Sequence, residues 1–410
     1  MKLLQIVWNF PDVVMQPFNM YYFYWPMREA VLRGWQAEVL TFQMNNHQPA
    51  EEVIDGIRVR RCPAGVRKGR PFSWPFIHAL LTTDADIIHC HGYGEGRSEL
   101  AILLARLRGR KVVFAPYFHV YPYRRTLREL YDKTFGRLFF NMSHRVVVST
   151  DYTGQLLFDL GVDEKRLRVI PHVSRPEVFA VSTGEKEPGS LLRDAGVSGH
   201  PLILGVGQLI ERKGWEYTVR CMPSIIAHFP EAKLLIVGPS QPAEPVFRQR
   251  LMQLATELGV IDHIQILQDN TPEFIRDAYR SATILTHPSF VESFGMVLLE
   301  AMTAGVPMVA HNGTGIPCII DDGVTGYVVD VRDVTKYTDT FLSLLADPAL
   351  RQRMGAEGKR QAETRFSQAE IASQLFAVYA EVIGGAPYDV APQTTEPLID
   401  PMSVPHVRVK

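Results

Sequence analysis

HPSFVESFGMVLLEAMTAGVPMVAHNGTG, residues 287–315, decides how this chain is read. An apolar run ends near His287, a loop follows, and a helix is expected from about Ser293 to Thr303 with Ser293 as its N-cap. Gly295, Met296 and Val297 then offer backbone N–H groups at a helix N-terminus, a natural phosphate site. Glu292 stands just before that helix and Glu300 two turns into it. Eight residues separate them by roughly 12 Å along the axis and about 80° around it, so both face a similar side. Carboxylates so spaced suit hydroxyls at the two ends of a nucleotide-sugar, with the diphosphate between them. Alone, the same pair reads equally well as an exposed helix start and a salt-bridged glutamate.

Upstream, GVGQLIERKGWEYTVR, residues 205–220, reads as a strand end, a turn and a helix start, with Arg212 and Lys213 where the chain enters the helix. Cations there would face a bound diphosphate; alone, they are equally solvated surface. Gly205 and Gly207 lack the third glycine of a dinucleotide fingerprint, so no NAD site is read.

Around these patches, short apolar runs alternate with amphipathic stretches, the pattern of doubly wound α/β domains. LLQIVW, AEVLTF, DIIHCH, KVVFAP and HRVVVS read as strands of a first domain. PLILGVG, AKLLIVG, HIQIL, ATILTHPS and PMVAHN read as strands of a second. Continuous β-branched runs without polar alternation mark parallel strands buried on both faces. The expected boundaries are a first domain over 1–180, a polar linker over 181–199, a second domain over 200–366, a helix over 367–384 and a tail over 385–410.

The chain has 410 residues, enough for two cores. Apolar residues form 46% and charged residues 21%, ordinary for a globular protein. No apolar run is long enough for a membrane-spanning helix. The N-terminal run is short and lacks a small-residue cleavage site, so it reads as a first strand and the chain as cytoplasmic. Cys62, Cys90, Cys221 and Cys318 are scattered, which indicates neither a disulfide framework nor a zinc site. The net charge of −1 hides an asymmetry: residues 1–180 carry about 24 Lys and Arg against about 17 Asp and Glu. The excess includes Arg58, Arg60, Arg61, Arg67, Lys68 and Arg70, then Arg106, Arg108, Arg110 and Lys111, then Arg124 and Arg125. Solvated surface is one reading; peripheral contact with the inner face of an anionic membrane, or with an anionic acceptor, is the other. No aromatic-and-basic signature accompanies these charges, which argues against nucleic acid.

Taken together, the two patches resemble the family-4 retaining glycosyltransferases. The longer motif of that family is matched here by Pro288, Ser289, Glu292, Phe294, Gly295, Glu300, Ala301, Gly305 and Pro307. The resemblance runs from residue 1 to about 384, with Ile170–Val173 and the 367–384 helix in corresponding places. It implies the GT-B architecture: two Rossmann-like doubly wound domains facing a central cleft. It also implies transfer of a sugar, with retention, from a nucleotide-diphospho-sugar (UDP or GDP) to a hydroxyl of a glycan, lipid-linked glycan or small molecule. Gln208, Arg212, Lys213, Ser293, Phe294, Gly295, Met296, Val297 and Glu300 would bind donor, and His119 and Glu292 would be catalytic. His91 would stand on the acceptor side. No metal or cofactor is required in this reading, and Asp84-Ala-Asp86 is taken as a chance match to a metal signature. Three positions depart from the family pattern: Gln208 replaces a phosphate-binding arginine, the Gly-Gly after the first strand is absent, and Cys318 replaces a glutamate. A silent nucleotide-sugar-binding protein and a nucleotide-sugar epimerase of the same fold are the rival readings.

Overall fold

The computed structural model describes residues 1–8, 10, 21–43, 48–63, 66–67, 70–71, 73–118, 125–179, 187–238, 244–268 and 271–384. These form two compact units: Met1–Pro171 joined by the stretch that starts at Ala369, and His172–Gln368.

In the first unit the strands are Lys2–Ile6 (β1), Gln36–Gln43 (β2), Glu51–Ile54 (β3) and Ile57–Pro63 (β4). A two-stranded ribbon follows, Val66–Arg67 (β5) and Arg70–Pro71 (β6). Then come Ile87–His91 (β7), Lys111–Ala115 (β8), Arg145–Val148 (β9) and Leu167–Val169 (β10). The sheet order is β10-β9-β8-β7-β1-β2-β4-β3, parallel throughout except for the β3–β4 pair. β7 and the last four residues of β1 are buried, their apolar residues together with Gln5, His89 and His91. The sequence reading missed β3 and β4. Along β4 buried apolar positions alternate with Arg58 and Arg60, and β3 closes the sheet edge with charged residues. Here Arg58 Nη2 bonds Glu51 Oε2 at 3.1 Å and Arg60 Nη1 bonds Glu38 Oε1 at 3.0 Å, while buried Arg61 pairs with Glu52. Much of the basic 58–70 stretch is thus neutralised within the sheet, while Lys68 lies outside the described residues.

The stretch read as one helix, YRRTLRELYDKTFGRLFF, is helical over Arg125–Tyr131 and Arg137–Met142, with a wide π turn over Asp132–Gly136 between. Tyr93 explains the interruption. Its hydroxyl donates to Asp132 Oδ1 at 2.7 Å and occupies the space where a side chain at residue 136 would sit, which only glycine permits.

The helix Gln368–Ile383 packs on the first unit: Phe376 against Trp35, the Tyr379 hydroxyl 2.8 Å from His89 Nδ1, and Glu381 against Arg145 and Arg168.

In the second unit the strands are Leu202–Val206 (β11), Lys233–Val237 (β12), Ile264–Leu267 (β13), Ile284–His287 (β14), Met308–His311 (β15) and Gly326–Val329 (β16). All are parallel, in the order β13-β12-β11-β14-β15-β16. The fully buried Trp215 sits in the core beneath β11 and β12. The polar segment read as a linker over 181–199 is, where described, part of this unit. Asp277 accepts backbone N–H bonds from Gly189 at 2.6 Å, Leu191 at 2.9 Å and Leu192 at 3.2 Å. The division of the chain therefore falls between Pro171 and His172, earlier than expected.

Candidate functional site

Each sheet has a point where the strand order changes direction between parallel neighbours, β1 and β7 in the first and β11 and β14 in the second. Connections leave such a pair toward opposite faces, which opens a crevice at the carboxyl ends of the strands. Of the residues singled out from the sequence, Gln208, Arg212, Lys213 and Glu292 gather at the second of these points.

From β11 the chain passes Gln208, whose carbonyl accepts the Trp215 Nε1–H at 2.9 Å. It then forms a tight turn over Glu211–Lys213 that ends on Gly214 (φ 66°), and a helix runs on over Trp215–His228. A Cβ on Gly214 would lie 2.5 Å from the Pro288 carbonyl oxygen, so this turn and the loop after β14 touch backbone to backbone. The Phe290 N–H donates to the Arg212 carbonyl at 2.9 Å and joins them further.

Lys213 is buried at 8% exposure, and its Nζ bonds the Glu292 carboxylate. His287 Nε2 lies 3.3 Å from the same carboxylate oxygen. Burial pushes the Glu292 carboxyl up, but the His287 ring and the Lys213 ammonium outweigh it and hold the group well below the usual carboxylate range. Burial pulls Lys213 down, against the opposing pull of Glu292. The backbone of Glu292 is fixed from the loop after β15: its N–H donates to Thr314 Oγ1 at 2.8 Å and its carbonyl accepts from the Gly315 N–H at 3.0 Å. Thr314 holds φ at 50°, a left-handed conformation unusual for a β-branched residue. Arg212 spans the same corner, with Nη1 3.1 Å from the Val291 carbonyl and Nη2 3.4 Å from Gln208 Oε1. Gln208, Arg212, Lys213 and Glu292 are therefore brought together.

The helix carrying Glu300 runs over Met296–Ala304, not from Ser293. Its cap is Gly295 at φ 93°, a conformation that breaks the helical run, and it has no side-chain cap; the expected capping role of Ser293 is corrected accordingly. The N–H groups of the first turn lack intrahelical acceptors, as at any helix start. Phe294 is buried and meets the rings of His172 and Phe366 edge-on, so its visible role is packing. Glu300 Oε2 accepts the Tyr279 hydroxyl at 2.7 Å. Burial raises the Glu300 carboxyl to about 7, against the opposing effects of that hydroxyl and the Arg175 charge.

His91 ends β7 in the first unit. Its Nε2 is 2.9 Å from Gln5 Nε2, its Nδ1 is 2.8 Å from the Tyr117 hydroxyl, and its ring stacks on Tyr117. Its neighbour His89 is held down to about 3 by burial. His119 lies outside the described residues. Asp84 and Asp86 both hold Lys2, Asp86 by accepting its backbone N–H at 2.8 Å. Among the described residues no group of three or more His, Cys, Asp or Glu side chains is gathered to hold a metal, and no helix is long and apolar enough to cross a membrane. His287, Tyr279, Arg175 and Thr314 were not found from the sequence. Only His287, adjoining the Pro-Ser of the motif, stood close enough to draw notice.

Residues 193–361 match the family model described as glycosyl transferases group 1, and residues 21–172 match a glycosyl transferase 4-like domain. A D-inositol 3-phosphate glycosyltransferase of Corynebacterium efficiens is 36% identical over 193 residues, which cover 46% of this chain and 45% of that protein. The chain spans about half the length of this and several further relatives of the same description. Among solved structures, a sucrose-phosphate synthase from Thermosynechococcus elongatus superposes with a TM-score of 0.76 at 19% identity, covering 94% of this chain and 99% of that one. Alr3699/HepE of Anabaena, solved in complex with UDP-glucose, superposes with a TM-score of 0.73 at 16% identity, covering 93% and 100%. With two doubly wound sheets of the GT-B type and both family models matched, the chain belongs to the glycosyl transferases of group 1.

Proposed function

We propose that the second unit holds a nucleotide-diphospho-sugar and that the protein transfers its sugar, with retention, to a hydroxyl of an acceptor. The observation that carries this reading is the buried Lys213–Glu292 pair at the carboxyl ends of β11 and β14, in the same loop that leads into the Met296–Ala304 helix. Burying two charges costs several kcal/mol per ion before any pairing offsets it, so an apolar pair would serve stability as well. Such a pair is better accounted for by a ligand that carries both charge and hydroxyls.

In this reading Lys213, Arg212 and Gln208, with the N–H groups of Gly295, Met296 and Val297, receive the diphosphate. Lys213 exchanges the Glu292 carboxylate for phosphate oxygens, and Glu292 is then free to accept hydroxyls of the sugar. Glu300 accepts the ribose hydroxyls from within the helix. As the bond to the anomeric carbon breaks, negative charge grows on the leaving phosphate, where fixed cations and amides stabilise it most. The acceptor hydroxyl attacks from the same face and passes its proton to that phosphate, so no covalent carboxylate intermediate is needed. His119 facing the sugar and His91 on the acceptor side remain roles taken from the family resemblance. Neither a metal nor a cofactor is part of the scheme.

UDP-sugars are the first donors to try, because a solved relative of the same fold holds UDP-glucose; GDP-sugars are second. A phosphorylated cyclitol is the first soluble acceptor to try, because several curated relatives are named for inositol 3-phosphate. The test is a thermal-shift screen over nucleotide-sugars, followed by nucleoside diphosphate release with and without acceptor. A bound ligand raises the melting temperature by mass action, so a modest binder shows at high concentration. Release that depends on acceptor, with an α-glycoside formed from an α-linked donor, supports the proposal. Binding without release would identify a silent binder, epimerised free donor an epimerase, and a β-product would overturn retention.

A further inference from the structure

The segment Arg125–Met142 in the first unit presents an apolar stripe straight away from the protein. Asp132, Gly136 and Phe140 are buried and hold the segment in place. On the other side Leu127 is 82% exposed, Leu130 60%, Phe135 58% and Leu138 52%. Leu127 and Phe135 are eight residues apart, as are Leu130 and Leu138. In an ordinary α-helix eight residues overshoot two turns by about 80°, which would leave each pair on a similar side but off one line. The wide turn at Asp132–Gly136 takes up that extra residue. Each pair therefore lines up, and Thr126 and Thr134 are exposed as well. Exposed charges beside the stripe are Lys133, Arg137 and Glu129. The helix Arg97–Leu107, packed against Arg137–Met142, adds exposed Leu103 and Leu107 together with Arg106; Arg108 follows it, also exposed.

Four large apolar side chains on one outward line exceed the scattered exposure usual on a globular surface. An apolar line flanked mainly by cations fits the boundary between lipid headgroups and acyl chains. We infer that the outward face of Arg125–Met142 is a docking surface for an anionic lipid bilayer, with Leu127, Leu130, Phe135 and Leu138 entering the headgroup layer and Lys133 and Arg137 meeting its phosphates. This moves membrane contact away from the basic 58–70 stretch, where Arg58, Arg60 and Arg61 are paired with glutamates. The surface is independent of the donor site, so its test stands whether or not UDP binds.

The experiment is sedimentation of the full chain with vesicles of phosphatidylglycerol and phosphatidylcholine, and with phosphatidylcholine alone, at low and high salt. Wild type should pellet with the anionic vesicles in a salt-sensitive way. Joint substitution of Leu127, Leu130, Phe135 and Leu138 by serine should weaken partitioning about tenfold or more, since each removes most of a side chain's apolar area. Lys133→Glu with Arg137→Glu should abolish the preference for anionic vesicles. Circular dichroism monitors folding, and the single changes Leu127→Ser and Leu130→Ser stand in should the joint variant fail to fold. Wild type that ignores anionic vesicles at low salt overturns the inference, as does undiminished binding by the serine variants. Analytical ultracentrifugation covers the remaining occupant: an oligomer that the serine changes dissolve, without vesicle binding, would assign the stripe to a second copy of the chain.

Discussion

The two sheets reverse at equivalent points, and the residues filling the two crevices differ in kind. At the β1–β7 reversal stand Gln5, His89, His91 and Tyr117, with Tyr379 from the last helix, joined by side-chain hydrogen bonds, and Arg97 donates to the His91 carbonyl at 3.3 Å. At the β11–β14 reversal stand Arg212, Lys213 and Glu292, charged groups on short loops locked backbone to backbone. One topology thus carries a hydrogen-bonded aromatic set at one reversal and an ion-paired set at the other. The backbone supplies the crevice, and only the side chains decide whether it suits phosphate.

Lys213→Ala should break the ionic pocket most severely. It removes a charge-assisted contact to a desolvated diphosphate, worth roughly 1.5–3 kcal/mol, or about tenfold to more than a hundredfold in kcat/KM. It also leaves Glu292 without its cation, so the melting temperature should fall. Adding Glu292→Gln should recover much of that stability and none of the activity; a single mutant with wild-type kcat/KM would take Lys213 out of the site. Next in size, Glu292→Gln and Glu300→Gln should part company. The first should cut transfer about tenfold or more while UDP still binds, and the second should weaken UDP itself. Equal effects on both readouts would end the division of roles.

Glu300 gives a smaller and sharper test. Its folded value of about 7 lies above the ordinary 4.5, so between those limits the folded chain keeps a proton that the unfolded chain has lost. Its contribution to stability is present below that window and falls as pH rises through it. Ribose hydroxyls donate best to the ionised carboxylate, so UDP affinity should rise across pH 6 to 8 in calorimetry, and Glu300→Gln should flatten the rise. Smallest for donor binding is His91→Phe. It should lower stability by about 1–3 kcal/mol by removing the hydrogen bonds of the ring to Gln5 and Tyr117, yet leave UDP affinity unchanged. A lost UDP affinity there would draw His91 into donor binding.

The central buried strands were legible because apolar and β-branched residues dominate them, even where Gln5, His89 and His91 intervene. β3 and β4 were not, because Arg58 and Arg60 interrupt β4 and their glutamate partners lie on the neighbouring strands β3 and β2. Gln208, Arg212, Lys213 and Glu292 were legible as candidates through their motifs. That Lys213 bonds Glu292, 79 residues away, was not, since only the folded loops bring them together. Tyr279 and Arg175 had no local signal, because each acts on Glu300 from a different element. The start of the Glu300 helix shifted from Ser293 to Met296 because the left-handed Gly295 outweighed the capping preference of serine. The linker reading of 181–199 followed composition, and composition does not reveal that one carboxylate, Asp277, gathers three of its N–H groups.

The wide turn at Asp132–Gly136 also makes the outward stripe a matter of chain length rather than composition. Deleting a single residue there would restore ordinary winding, and seven residues of ordinary helix fall only about 20° short of two turns, so Phe135 and Leu138 would stay in line with Leu127 and Leu130. Straightening the turn at unchanged length would instead carry them about 80° off that line, although no apolar residue had been lost. Winding and length must therefore change together if the surface is to keep its phase. A homologue one residue shorter here and evenly wound would present the same face.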